Sequence, residues 1–252
     1  MSARGLVLMA SLVASVAGAQ SIPGAVLAKN EPHHHPAYED GVLRVLRVSV
    51  PGGDSTMLHE HDPDYFWIAL GASEVVNAKL GAADAVISSA DLSIHYTLGH
   101  FAHVARNPGR ETFNNITVEL LEPQSGPRNL CEVAIANTAL DCPRGDARPA
   151  SGVEEHAAFQ TDRLRVSLVT LAPGAALTGV EPWPAPWVIA LDPSDVSRGL
   201  RAREAGSANP SLSANGMNWR GGVWRPAPNR RWSLNNTTRA AVRVLVVTPT
   251  SR

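Results

Sequence analysis

The sequence predicts an all-β protein built as two β-barrels in series. Three observations predict it. The chain repeats itself: LRVLRVSVPGGDSTMLHEHDPDYFWIALG, from Leu43, falls without a gap on LRVSLVTLAPGAALTGVEPWPAPWVIALD, from Leu164, with ten identities in 29 positions. Its apolar runs are short, rich in Val and Leu, and bounded by clusters of Gly, Pro, Asn and Asp. Long runs with helical spacing are scarce.

Bulk composition sets the outer limits. The chain has 252 residues, 44% hydrophobic and 18% charged, with a formal net charge of −1. That is ordinary globular composition. Near-neutral charge speaks against a nucleic-acid partner, whose phosphates require a basic face. No G-x-S-x-G elbow, P-loop or dinucleotide fingerprint occurs, so serine hydrolysis, nucleotide chemistry and nicotinamide chemistry have no support.

The first 19 residues read as a signal peptide. Arg4 supplies a basic start, Gly5 to Val16 an apolar run, and Ala17-Gly18-Ala19 a cleavage site before Gln20. The run is too short to span about 30 Å of hydrocarbon comfortably. The expected product is exported, periplasmic or secreted, with no membrane association after cleavage. Residues 20–148 and 149–252 are then the N-terminal and C-terminal barrels.

EPHHHPAYED follows, at 31–40. Short His tracts can bind metal. The plainer expectation for His33, His34 and His35 is an exposed approach to the first strand, with one of the three able to reach the barrel mouth. LRVLRVSV (43–50) then reads as a strand ending at a Gly/Pro turn, and SADLSIHYTL (89–98) alternates as a strand does. FNNITVELLEP (113–123) ends in proline, a usual strand terminator.

Between these strands lies LHEHDPDYFWIALG (58–71). In a strand, residues i and i+2 share a face, so His59 and His61 point inward together if either does. His103, in FAHVARN (101–107), offers a third imidazole from a later strand. Three neutral imidazoles converging from one side leave coordination positions open, which suits Fe(II), Mn, Ni, Cu or Zn.

These residues carry a family resemblance. Gly53, His59-x-His61, Asp64 and Gly71 resemble the first motif of the cupins: a Gly, an H-x-H pair, a Glu a few residues on and a closing Gly. His103 with Asn107, four residues later, is similar to the second motif. With the repeat, the whole mature chain looks like a bicupin. The resemblance implies tandem double-stranded β-helix (jelly-roll) barrels. It also implies one divalent transition metal held by His59, His61 and His103, a small-molecule ligand or substrate, and edge pairing that could make a homodimer.

The sequence departs from the pattern at the fourth ligand. No Glu stands there. Asp64 has the right distance to Gly71 but is one residue too close to His61 and one methylene short, whereas Tyr65 has the correct distance from the histidines and the same strand parity. The expectation is Asp64 near the metal with Tyr65 lining the pocket, and a plain three-His centre stays open. His100 occupies the position normally held by glycine, three before the second-motif His. It is a candidate ligand or acid/base group beside Tyr65, or a solvated loop residue. His95, on a strand, is expected to pack or hydrogen-bond.

Cys131 and Cys142 flank a short segment and, in an oxidising compartment, favour a local disulfide. Pro- and Arg-rich CPRGDARPASG (142–152) is the expected linker. In the second copy every candidate ligand is lost: His59 aligns with Val180, His61 with Pro182, Asp64 with Ala185 and His103 with Trp232. That barrel is expected to be metal-free and filled by the bulk of Trp183, Trp187, Trp219, Trp224 and Trp232. Arg220, Arg225, Arg230 and Arg231 read as a solvated face.

Three functions follow. The first is an exported metal-binding cupin that binds or acts on a small molecule. The second is a metal-dependent dioxygenase or isomerase of a small organic substrate. The third is a partner-binding barrel with a vestigial site.

Overall fold

The computed structural model describes residues 22–130, 152–180, 185–205 and 220–250. The signal-peptide reading, the Cys131–Cys142 pairing, most of the linker, Pro182, Trp183 and Trp219 lie outside the described residues.

The first half contributes β1 (Val26–Leu27), β2 (His34–Glu39), β3 (Leu43–Val50), β4 (His59–His61) and β5 (Tyr65–Ala69). It continues with β6 (Ser73–Lys79), β7 (Ala85–Ser89), β8 (Ile94–Thr97), β9 (Phe101–Arg106) and β10 (Phe113–Leu120). The second half contributes β11 (Arg128–Asn129), β12 (Val153–Gln160), β13 (Leu164–Leu171), β14 (Ala176–Val180) and β15 (Trp187–Ala190). β16 (Leu200–Glu204), β17 (Val223–Trp224), β18 (Arg231–Asn236) and β19 (Val242–Pro249) complete it. The only helical turns among the described residues are Ala28–Asn30 and Ser194–Ser197. No described helix is long and apolar enough to cross a membrane.

Each half folds as two facing sheets. The first has β2-β3-β10-β5-β8 opposite β1-β4-β9-β6-β7. The second repeats the order, with β12-β13-β19-β15-β17 opposite β14-β18-β16. β11, although it precedes residue 149, pairs with β12 and extends the second half's sheet.

The duplication reaches single hydrogen bonds. Asn107 donates its amide to the Val50 and Glu111 carbonyls, and Asn236 donates to the Leu171 and Ala240 carbonyls at the equivalent corner. Gly53 and Gly174, both at φ 77°, donate to the Asn107 and Asn236 carbonyls respectively. A register shift between Pro36 and Tyr38 is matched by one between Ala157 and Phe159. Two barrels that share this much detail have one architecture used twice.

Where the core sits explains why the strands do not alternate cleanly. On β3, Leu43 and Val45 face the second barrel, while Val48 and Val50 face the first barrel's interior. On β10, Ile116, Val118 and Leu120 join that same inter-barrel core. β13, β15 and β19 mirror them with Leu164, Val166, Trp187, Ile189, Leu245 and Val247. Sheets covered on both faces carry apolar residues on both parities. Trp187 thus fills the junction between barrels rather than a pocket, and its Nε1–H donates to Asp40 at 2.8 Å. Arg225 lies 4.1 Å over the Trp187 ring and pairs with Asp40, so it is not part of a solvated face.

Candidate metal centre

β4 and β9 run antiparallel with His59 opposite His103, and β4's alternation turns His61 to the same interior side. Ring centroids lie 4.3 Å apart for His59 and His103, 5.1 Å for His59 and His61, and 5.5 Å for His61 and His103. All three rings are buried.

A fourth imidazole joins them from the facing sheet. His34, the first residue of β2, is buried with its centroid 4.5 Å from His59 and 6.0 Å from His61. Candidate ligand atoms of His34, His59 and His61 all fall within 4.8 Å of one another. The His tract divides by strand alternation. His33 turns away to the Ser49 carbonyl and Asp54, and His35 is exposed.

Every one of the four rings is anchored through Nδ1. His59 Nδ1 meets the Met57 carbonyl at 2.9 Å, and His103 Nδ1 meets Asn77 Oδ1 at 2.7 Å. His61 Nδ1 meets Glu119 at 3.0 Å, and His34 Nδ1 meets Glu31 at 2.5 Å. Carbonyl, amide and carboxylate oxygens only accept, so each Nδ1 carries the proton in the neutral ring. Each Nε2 is then left with a lone pair. Among the described residues, His59 Nε2 and His103 Nε2 are buried with no hydrogen-bond partner. Imidazoles held by Nδ1–H on an oxygen, with Nε2 free, are the arrangement that metal-ligating histidines adopt. The donor set therefore fits a divalent transition ion.

The anchors are themselves buried and braced. Glu119, on β10, is shared between His61 and the Arg44 guanidinium. Burial pushes its carboxyl up, but His61 and Arg44 hold it below the usual range. Glu31 is likewise opposed by burial and held down to about 2 by His34 and the backbone N–H groups of Met57 and His33. Burial pushes His59 down to about 3, reinforced by the neighbouring imidazoles. It pushes His61 and His103 down as well, the latter strongly.

These shifts give the metal-free chain an acid sensitivity. The unfolded chain takes up protons near pH 6.5 on histidine and 4.5 on glutamate, whereas folded His59 and Glu31 resist them down to about 3 and 2. More protons bind to the unfolded state in that window, so stability falls as pH falls. Thermal melts in a chelator are expected to show a Tm that declines from about pH 6.5 downward. A Tm level from pH 7 to 4 would contradict the buried neutral rings.

The other expected site residues separate. Tyr65, on β5, stacks on His61 with centroids 4.0 Å apart, and burial pushes its phenol up. Asp64 departs from the expectation of a ligand. It lies one residue out of phase with the inward set, and its carboxylate instead accepts from the Tyr96 hydroxyl and the Gly99 N–H. That bond pins the β8–β9 turn, where a Cβ at Gly99 would sit 2.3 Å from the Asp62 carbonyl oxygen. His100 departs too. Its backbone has φ 62°, the left-handed conformation that favours glycine. That conformation carries its side chain outward to Asp62, and it is 76% exposed. His95 stacks on Trp67 at 4.1 Å, as a packing residue does.

Glu119 is the residue that the sequence left out, and His34 is the one of the His tract that reaches the site. A signal for Glu119 exists in the alternation. Asn115, Thr117 and Glu119 are the polar parity of a strand whose other parity is Ile116, Val118 and Leu120. In the second barrel the position of His103 is taken by Trp232, whose indole lies against Gly179 so closely that a Cβ there would sit 2.5 Å away. Trp232 packs edge-on to Trp224 at 5.5 Å.

Comparisons with known proteins agree on architecture. No family model matches the sequence, and no curated protein matches it. Solved structures do. AerE from Microcystis aeruginosa is similar at a TM-score of 0.56 and 8% identity, over 88% of this chain and 99% of its own. A point mutant of Bacillus subtilis oxalate decarboxylase OxdC is similar at 0.57 and 12%, over 87% of this chain and 76% of its own. A structure of that decarboxylase concerned with its Mn(II) centres matches at 0.56 and 10%, over the same shares. At such identities the likeness is one of fold, and the fold of this chain is the cupin type, used in both barrels.

Proposed function

We propose that this chain is an exported bicupin that holds one divalent transition metal in its N-terminal barrel and binds or acts on a small molecule there. The supporting observation is the set of four buried imidazoles, each tethered through Nδ1, with the Nε2 atoms of His59 and His103 unpartnered. An unsatisfied buried polar atom costs about 1–3 kcal/mol, and coordination removes that cost. His34, His59 and His61, whose ligand atoms lie within 4.8 Å of one another, would hold the ion, with His103 beside them, and the ion would supply positive charge to an oxygen of a bound ligand. Fe, Mn, Ni, Cu and Zn all accept imidazole nitrogen.

A catalytic version of this reading, a dioxygenase or isomerase of a small organic substrate, is favoured by Tyr65, whose buried ring lies against His61. Elemental analysis tests the common core. Protein recovered from a periplasmic fraction, where residues 1–19 would direct it, is expected to carry close to one first-row ion per chain, and His59→Ala to carry far less. Equal, negligible metal in both would make the site vestigial and leave a structural barrel. Oxygen uptake by the loaded protein with thiols, phenols and keto acids then separates turnover from capture.

A further inference from the structure

The anchored imidazoles set the charge that a ligand meets. Four neutral rings add no negative charge to a divalent ion. Of the two carboxylates behind them, Glu119 pairs with Arg44, which it shares with the half-exposed Glu39, and Glu31 pairs with His34 alone. A further positive charge stands at the rim. On β6, Val75, Asn77 and Lys79 share one face, and Asn77 shows that this face is the barrel interior, because it holds His103. Lys79, one step nearer solvent, is opposite His103 in the β6–β9 register. Its Nζ lies 4.3 Å from the centroid of the Phe101 ring. Phe101 is buried, 5.3 Å from His103, 6.4 Å from His61 and 6.2 Å from Tyr65. Lys79, Phe101, Tyr65 and the imidazoles are therefore successive neighbours, from the exposed Lys79 inward to the cluster. Among the described residues, no carboxylate pairs with Lys79.

We propose that Lys79 and Phe101 form a subsite for one carboxylate of a small organic dianion whose other end reaches the imidazole cluster. This rests on the metal reading above and narrows its ligand to an anion. The ammonium meets the outer carboxylate, the Phe101 face covers the carbon between the two ends, and the ion meets the inner one. A cation held over an aromatic ring and free of a protein counter-ion is positioned to receive such a charge.

The test uses the full mature chain loaded with Co(II), with cobalt content measured before and after titration so that loss of metal is not mistaken for binding. Malonate is the anionic probe and malonamide its uncharged counterpart, each read by the visible cobalt spectrum. Lys79→Met is expected to keep its cobalt and to weaken malonate by about threefold to tenfold, the effect shrinking as salt is raised. Lys79→Arg is expected to recover most of that affinity, and malonamide to be indifferent to either change. Equal malonate affinity in wild type and Lys79→Met would overturn the subsite and leave the metal reading standing. So would equal losses for malonate and malonamide, since packing rather than charge would then be responsible. Wild-type protein that takes up no cobalt would bring down both.

Discussion

Glu119→Leu is expected to destabilise the chain by about 2–4 kcal/mol and to lower divalent-metal affinity roughly 10- to 100-fold. Both effects come from one carboxylate. Glu119 is 2% exposed and accepts from His61 on one side and Arg44 on the other. Leucine removes the charge that compensates Arg44, whose side chain is itself 12% exposed. Breaking a buried pair from one side typically costs about 3–5 kcal/mol, and the second carboxylate on Arg44, from the half-exposed Glu39, reduces that. His61 would meanwhile lose the oxygen that fixes its tautomer and ring plane. Urea unfolding measures the first effect, and competition with a chromophoric chelator the second. Glu119→Gln separates them. It keeps an acceptor for His61 but no charge for Arg44, so it should lose stability while holding metal better than leucine does. A leucine variant with wild-type metal affinity would show that His61 needs no anchor.

Phe159→Ala is expected to cost about 3–5 kcal/mol and to lower the Tm by roughly 10 °C. Phe159 belongs to the second barrel by sequence, yet it is fully buried against the first. Its ring meets Phe66 at 5.1 Å and Tyr96 at 5.4 Å, both edge to face. Such pairs contribute about 0.5–1.5 kcal/mol beyond the area they bury. Because Leu43, Val45, Ile116 and Val118 of one barrel pack with Leu164, Val166, Ile189 and Leu245 of the other, the two should unfold in one transition. Calorimetry decides this. Two separated transitions, with only the later half shifted by the substitution, would mean that the barrels are stable apart and the shared core contributes little.

The amino-acid order alone determined the kind of strand at each place and its parity. LRVLRVSV and LRVSLVTL could be read as equivalent strands, and the pair His59 and His61 as inward together, because alternation is a local property of extended backbone. The loss of His103's counterpart to Trp232 was legible for the same reason. What alternation cannot say is which face becomes which interior. β3 and β5 carry apolar residues on both parities, and only the docking of the second barrel assigns Leu43 and Val45 to the junction.

Tertiary structure decided the composition of the site. His34 stands on an edge strand of the opposite sheet, and Glu119 is 58 residues from the ring that it anchors. Neither neighbour is adjacent in sequence, and a polar residue on a strand looks the same whether it meets water or a buried imidazole. Asp64, and His100 in its ligand and acid/base readings, were misplaced by the converse effect. Motif spacing put them near the histidines, but one residue of phase at Asp64 and a left-handed backbone at His100 aim them elsewhere. Local chemistry is written along the chain, whereas the meeting of side chains depends on long-range register and on burial, which only the folded barrels establish.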